Sequence, residues 1–175
     1  MPDFTKIDYL RDGNERQRSA YKVLTDYNIF EKLSNYSPVL AGTIPIEIDI
    51  ESSDLDIICE VDLRFEKEFL EEIILSTFIS TDVDVLVEKI MVNGEKSIVL
   101  NFTLEEFPIE IFGQNKVSTE QNAYRHMIAE HKILQEKGEE FKQKIIELKK
   151  QGIKTEPAFG MLLGLENPYE DLLKL

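Results

Sequence analysis

Residues 40–60 read LAGTIPIEIDIESSDLDIICE, and the fold turns on how this stretch is taken. Pro38 to Ala41 is a short apolar run that closes at Gly42-Thr43. Ten residues later, Asp54-Leu55-Asp56 opens a second run, continued by Ile57, Ile58 and Cys59. If that run is a strand, its side chains alternate faces, so Asp54 and Asp56 project from one side, about 7 Å apart at Cα. That spacing lets both carboxylates ligate one hard cation. Strands disfavour Asp, so two in register call for a reason. The plainer alternative is a turn at Ser52-Ser53-Asp54 that leaves Asp56 facing water, and for Asp-x-Asp alone it is the commoner outcome. Between the two runs, Ile44, Ile46, Ile48 and Ile50 alternate with Pro45, Glu47, Asp49 and Glu51. This predicts an extended segment with one apolar face, which Pro45 confines to an edge strand or a covering loop. Glu47, Asp49 and Glu51 read as its solvated side.

Working outward, residues 12–35 predict helix, capped by Asp12 or Asn14, with Tyr21, Val23, Leu24 and Tyr27 on the apolar face and a break at Asn28. Phe65 to Phe78 predicts an amphipathic helix with Phe69, Leu70, Ile73, Ile74 and Phe78 inward. Val83–Val92 and Ser97–Thr103 read as strands joined by a hairpin at Asn93-Gly94. Phe107–Phe112 is a third short strand ending at Gly113. From Ser118 the pattern turns helical. Ser118-x-x-Gln121 matches a capping box, and Ala123, Met127, Ile128 and Leu134 supply the inner face. Gly138 breaks that helix. Glu139–Lys150 predicts another, with Phe141, Ile145, Ile146 and Leu148 inward and its many charges solvated as i,i+4 pairs. A short helix over Glu156–Leu165 and a last turn opened by Asn167-Pro168 complete the chain. The order predicts an α+β fold, a mixed sheet covered by helices with a C-terminal helical extension. One domain is expected over 1–175, with the sheet core at about 37–113 and the helical part at about 117–175.

Composition narrows the function. At 175 residues the chain can bury a real core without disulfides. Its net charge of −14 repels polyanions, which argues against an extended nucleic-acid face while leaving room for a local basic pocket. The single cysteine, Cys59, lies in an apolar run and reads as a small buried hydrophobe of a reducing compartment. No apolar run is long enough to span a bilayer, and a cytoplasmic location is expected. His126 and His131 are five residues apart, a poor spacing for sharing a zinc ion on one helix face. Asn122, Arg125 and His126 fall at i, i+3 and i+4 and form one polar strip, of the kind usually left to solvent.

Gly42-Thr43, then Asp54-Leu55-Asp56, then Glu110 between Ile109 and Ile111 on a later strand, resembles the minimal pattern of the polymerase-beta-like nucleotidyltransferase superfamily. There a Gly-Ser turn precedes an acid-x-acid strand, and a third acid follows from a downstream strand. More widely, GTIPIEIDIESSDLDIIC (42–59), EQNAYRHM (120–127) and KTEPAFGMLLGLENPYEDLL (154–173) look like a bacterial family of nucleotidyltransferase-like domains with no assigned activity. The resemblance implies a two-metal Mg²⁺ site, with Mn²⁺ as a possible substitute, held by Asp54, Asp56 and Glu110 as catalytic and metal-binding residues. It places Gly42, Thr43 and Ser53 at the nucleotide phosphates. Two features depart from the pattern. Thr43 stands where Ser is usual, and IPIEIDIE follows where many members carry basic or small residues. Positive charge is then expected from Lys116 and from the 121–132 helix, with Arg125 toward the phosphates and Asn122 or His126 at a base or acceptor. The implied reaction moves a nucleoside monophosphate from an NTP to a hydroxyl of a small-molecule or protein acceptor. A nucleotide-binding or regulatory module of the same fold without turnover, and a purely structural protein whose acids face solvent, are the alternatives.

Overall fold

The computed structural model describes residues 2–78, 83–92 and 94–175, with side chains for all of these except 74–78. Among the described residues, β1 (Val39–Ala41), β2 (Leu55–Glu60), β3 (Leu86–Val92), β4 (Glu95–Leu104) and β5 (Phe107–Gln114) form one sheet in the order β1-β2-β5-β4-β3. β2 and β5 are parallel, and every other neighbouring pair is antiparallel. A parallel pair needs a crossover. Here α3 (Glu66–Phe78) and the β3–β4 hairpin lie between the two strands in sequence. In that hairpin Gly94 has φ of +81°, while Asn93 and the side chains at the expected inward positions Ile74 and Phe78 lie outside what is described. A second tight turn, with Glu105 at φ of +52°, joins β4 to β5.

The alternation of β2 divides the core. Leu55, Ile57 and Cys59 face one side, where they meet Leu24 of α1 (Glu15–Asp26), Ile29 of α2 (Ile29–Lys32), and Phe69 and Ile73 of α3. Asn14 is the cap that starts α1. Its side chain accepts from Gln17 N–H at 2.9 Å, and Gln17 Oε1 accepts from Asn14 N–H at 3.0 Å. Asn28 breaks the helix in the left-handed region, as its short polar side chain tolerates. On the other side of the sheet, Ile58 and the β1 residues Val39 and Ala41 pack with α4 (Asn122–Lys137), α5 (Glu139–Lys150) and α6 (Thr155–Leu163), through Met127, Leu134, Ile145 and Phe159. The C-terminal helices thus cover the β1 edge of that face, and a cleft opens beside them over β5. Pro168 opens α7 (Pro168–Asp171), and Asn167, Tyr169 and Glu170 around it line the cleft. No helix among the described residues is long and apolar enough to cross a membrane. Cys59 is buried, and burial pushes its thiol up to about 12.

Two local expectations fail for physical reasons. Residues 44–51 are turned rather than extended: Ile48 N–H donates to Thr43 O at 3.1 Å, Glu47 N–H donates to Ile44 O at 3.2 Å, and Glu47 takes φ of +60°. Pro45 has no N–H to give a ladder. The period of two survives because the loop turns around the free edge of β1, sending Ile44 into one core and Ile46 and Ile48 into the other. Side chains pin it instead of a strand, with Gln17 Nε2 donating to Ile44 O and Pro45 O. The Ser118 capping box also does not form. Gln121 occupies the cap position of α4, its Nε2 donates to Cys59 O at 2.9 Å and Lys116 O at 3.0 Å, and the Ser118 hydroxyl donates to Ser37 O. Ala123, expected inward, is exposed as a result of this shifted start.

Candidate active site

Parallel pairing sets the acids. Asp56 on β2 lies directly opposite Glu110 on β5, and Ala41 on β1 is the partner of Asp56 on its other side. Neighbouring strands run about 4.8 Å apart, so the two carboxylates leave the same sheet face side by side. Asp54 stands one residue before β2, and its charge bears on both Asp56 and Glu110. The strand reading of Asp-x-Asp therefore holds at Asp56, and the three acids form one patch. Gly42 shapes this patch from β1. At φ of +81° it turns the chain immediately after Ala41, and a Cβ there would overlap Asp56 Oδ2 and lie 3.2 Å from Asp56 Cγ. Only glycine meets both demands at once.

Thr43 and Ser53 close the loop that separates Gly42 from Asp54. The Thr43 hydroxyl donates to Ser53 Oγ at 3.2 Å, and Ile50 N–H donates to the same oxygen at 2.9 Å. Both hydroxyls are thus engaged within the loop, which fixes its two ends beside the acids.

The patch is short of positive charge. Burial pushes the Asp56 carboxyl up to about 8, the charges of Asp54 and Glu110 add to the effect, and Lys149 opposes it. Glu110 is raised in the same way, by burial first and then by Asp54 and Glu88. Lys149 is a cation bearing on this patch that the sequence did not reveal. It sits in the part of α5 read as solvated, yet it is only 7% exposed, and its Nζ donates to Ile48 O at 2.8 Å. Burial lowers its ammonium to about 8, against the pull of Glu130, Asp49, Asp56 and Asp54. One signal pointed to it: Lys149 lies four residues after the buried Ile145, on the same helix face.

The cleft beside the acids has a volume of about 810 Å³. Six of the residues singled out from sequence line it: Asp56, Glu110, Lys116, Asn122, Arg125 and His126. The remaining four, Gly42, Thr43, Ser53 and Asp54, are not part of that lining. Lys116 is half-buried and Arg125 exposed. The expected polar strip of Asn122, Arg125 and His126 is not uniformly solvated, because His126 turns inward and meets the Tyr169 ring edge-on at 6.4 Å. His131 lies elsewhere, its ring edge-on to Phe4 at 5.0 Å.

Among known proteins, the model of a domain of unknown function, DUF4269, matches residues 22–175. No curated protein matches the sequence. Among solved structures the chain is similar to one in the GLD-2/RNP-8 complex, with 13% identity and a TM-score of 0.54 over 90% of this chain and 63% of that one. It is also similar to Cid1, described for RNA terminal uridylyl transferase activity, with 15% identity and a TM-score of 0.52 over 84% of this chain and 46% of that one. The chain spans less than two thirds of the length of either. At such identities the likeness establishes the fold, which is similar to that of nucleotidyltransferases.

Proposed function

The chain belongs to the DUF4269 family, to which no function is attached, and we propose that it is a divalent-metal-dependent nucleotidyltransferase. The single observation that carries this reading is the pairing of Asp56 with Glu110 beside Asp54, against a Cβ-free Gly42 and at the wall of a cleft. Asp54, whose charge raises the proton affinity of both Asp56 and Glu110, completes with them a hard oxygen donor set that fits Mg²⁺ or Mn²⁺. Asp54, Asp56 and Glu110 would hold the ions, which supply charge neutralisation on the phosphates and activation of an attacking hydroxyl when bound.

The chain's own groups then divide the remaining work. Glu110, whose carboxyl binds protons more tightly than usual, is placed to accept the proton of the acceptor hydroxyl. Lys149, held beneath the patch by Ile48 O, steadies the ionised form of Asp56. Lys116 and Arg125 on the cleft wall draw the phosphates, and Asn122 offers an amide to the base or acceptor. Gly42, Thr43 and Ser53 keep the turn that lets a phosphate approach the acids. The net charge of −14 favours a small-molecule or protein hydroxyl as acceptor over an extended nucleic acid.

A second reading, a nucleotide-binding module without turnover, draws support from the loop at 44–51. That loop carries Glu47, Asp49 and Glu51 and no Lys or Arg, where the resemblance would put basic or small residues near the phosphates. Pyrophosphate release separates the two. Incubation with each NTP, Mg²⁺ or Mn²⁺, and a panel of hydroxyl-bearing small molecules and proteins as acceptors is expected to release pyrophosphate from at least one NTP as the NMP joins the acceptor, and Asp54→Asn should lower the rate by about a thousandfold or more. Nucleotide binding without any release would select the module instead.

A further inference from the structure

Three more metal-ligating side chains meet outside the Asp54, Asp56 and Glu110 patch. His126 and Glu130 lie one turn apart on α4, and Glu156 enters from the first turn of α6. Their donor atoms all lie within 4.8 Å of one another. Donors about 2.1 Å from a common ion stand at most about 4.2 Å apart, so rotation of one carboxylate closes the set. The group is built into the protein rather than scattered on its surface. His126 is 7% exposed and Glu130 4% exposed. The His126 Nδ1 is buried and has no hydrogen-bond partner among the described residues, which is costly for a polar atom without a ligand. The Glu130 carboxylate takes part in none of the side-chain hydrogen bonds or ion pairs seen among those residues. The cation whose charge bears on it, Lys149, makes its hydrogen bond to Ile48 O rather than to this carboxylate.

We propose that His126, Glu130 and Glu156 form a second divalent-metal site, selective for a transition ion of the Zn²⁺ class. An imidazole nitrogen with two carboxylates suits Zn²⁺, Co²⁺ or Mn²⁺, whereas Mg²⁺ and Ca²⁺ want oxygen throughout. The poor spacing of His126 with His131 does not touch this set, because its second member is Glu130. Three protein ligands leave at least one position for water or substrate. His126 and Glu156 line the same cleft as Asp56 and Glu110, so the ion adds positive charge to a wall whose own cations are Lys116 and Arg125 among the described residues. The site stands whether or not the chain transfers nucleotides.

The test uses Co²⁺ as probe and no nucleotide. In the full chain carrying Asp54→Asn and Asp56→Asn, which removes the other donor set, Co²⁺ titration should give visible d–d bands that saturate at a single ion. The His126 imidazole signals should shift or broaden in step. His126→Gln and Glu156→Gln, added separately, should each weaken binding by roughly tenfold or more. Glu130→Gln guards against misfolding as an explanation: it keeps the shape of the buried side chain, so in metal-free buffer it should melt no lower than its parent while losing the ion. Absence of Co²⁺ uptake, uptake unchanged by His126→Gln, or bands that develop while the His126 signals stay fixed would each overturn the proposal.

Discussion

In metal-free buffer at pH 8.5, Asp56→Asn is expected to melt roughly 5–10 °C above the unaltered chain, and the gain should vanish toward pH 4. The sign follows from where the proton sits. The folded carboxyl titrates at about 8, well above its ordinary value of 3.8, because burial and the charges of Asp54 and Glu110 disfavour ionisation. Folding therefore retains a proton that the unfolded chain gives up. Below about pH 4 both states hold it and nothing is lost. As pH rises toward 8, stability declines, and it levels off once the folded carboxyl ionises. One pKa unit corresponds to about 1.4 kcal/mol, and with water and Lys149 relieving part of the burden, about 2–4 kcal/mol remains. Asparagine keeps the shape and removes the penalty. The same substitution should abolish ion binding at the Asp54, Asp56 and Glu110 patch while sparing the His126 set, so saturating Mn²⁺ reverses the order of the two melting points. Calorimetry across pH 4–9 with and without Mn²⁺ checks both halves. A variant that melts lower than the parent at every pH would mean that Asp56 serves packing rather than ion binding.

Gly42→Ala should cost about 1–2 kcal/mol of stability, from the left-handed backbone, and should weaken Mn²⁺ binding by roughly tenfold or more. The second effect has a separate cause. The new methyl overlaps Asp56 Oδ2, which is the movable end of a side chain, so the carboxylate swings aside and leaves the position it shares with Glu110. Gly94→Ala is the control. It has the same φ of +81°, and beyond its chain neighbours no atom of the described residues lies within 4 Å of the position its Cβ would take. It should pay only the backbone cost and leave Mn²⁺ binding unchanged. Urea denaturation and Mn²⁺ titration of the two variants separate strain from displacement.

The parts legible in the sequence were those governed by a single local rule. Asn14, one of the two candidate caps with Asp12, starts α1, and β2 follows from the period of Leu55, Ile57 and Cys59, which fixes the face of Asp56. Other features depend on partners far along the chain. The 44–51 loop keeps a strand's period because it feeds two cores around an edge, and Pro45 was its one visible warning. Lys149 is indistinguishable from its charged neighbours until Ile48 O, 101 residues away, is brought to it. Gln121 abandons the capping box because the end of β2 offers Cys59 O as a better-placed acceptor in the interior. The pairing of Asp56 with Glu110 is a matter of parallel register, which no periodicity reports. The family-like spacing suggested that these residues belong together, and the sheet shows how.

The most direct measurement of the central claim is calorimetric titration of Mn²⁺ in the presence and absence of a non-hydrolysable NTP analogue. If Asp54, Asp56 and Glu110 hold ions that in turn carry a triphosphate, the analogue should tighten Mn²⁺ binding, and Mn²⁺ should tighten binding of the analogue by the same factor. Asp54→Asn should remove that coupling. Independent binding of the two ligands, or coupling that survives Asp54→Asn, would contradict the assignment of this patch as a nucleotidyltransferase centre.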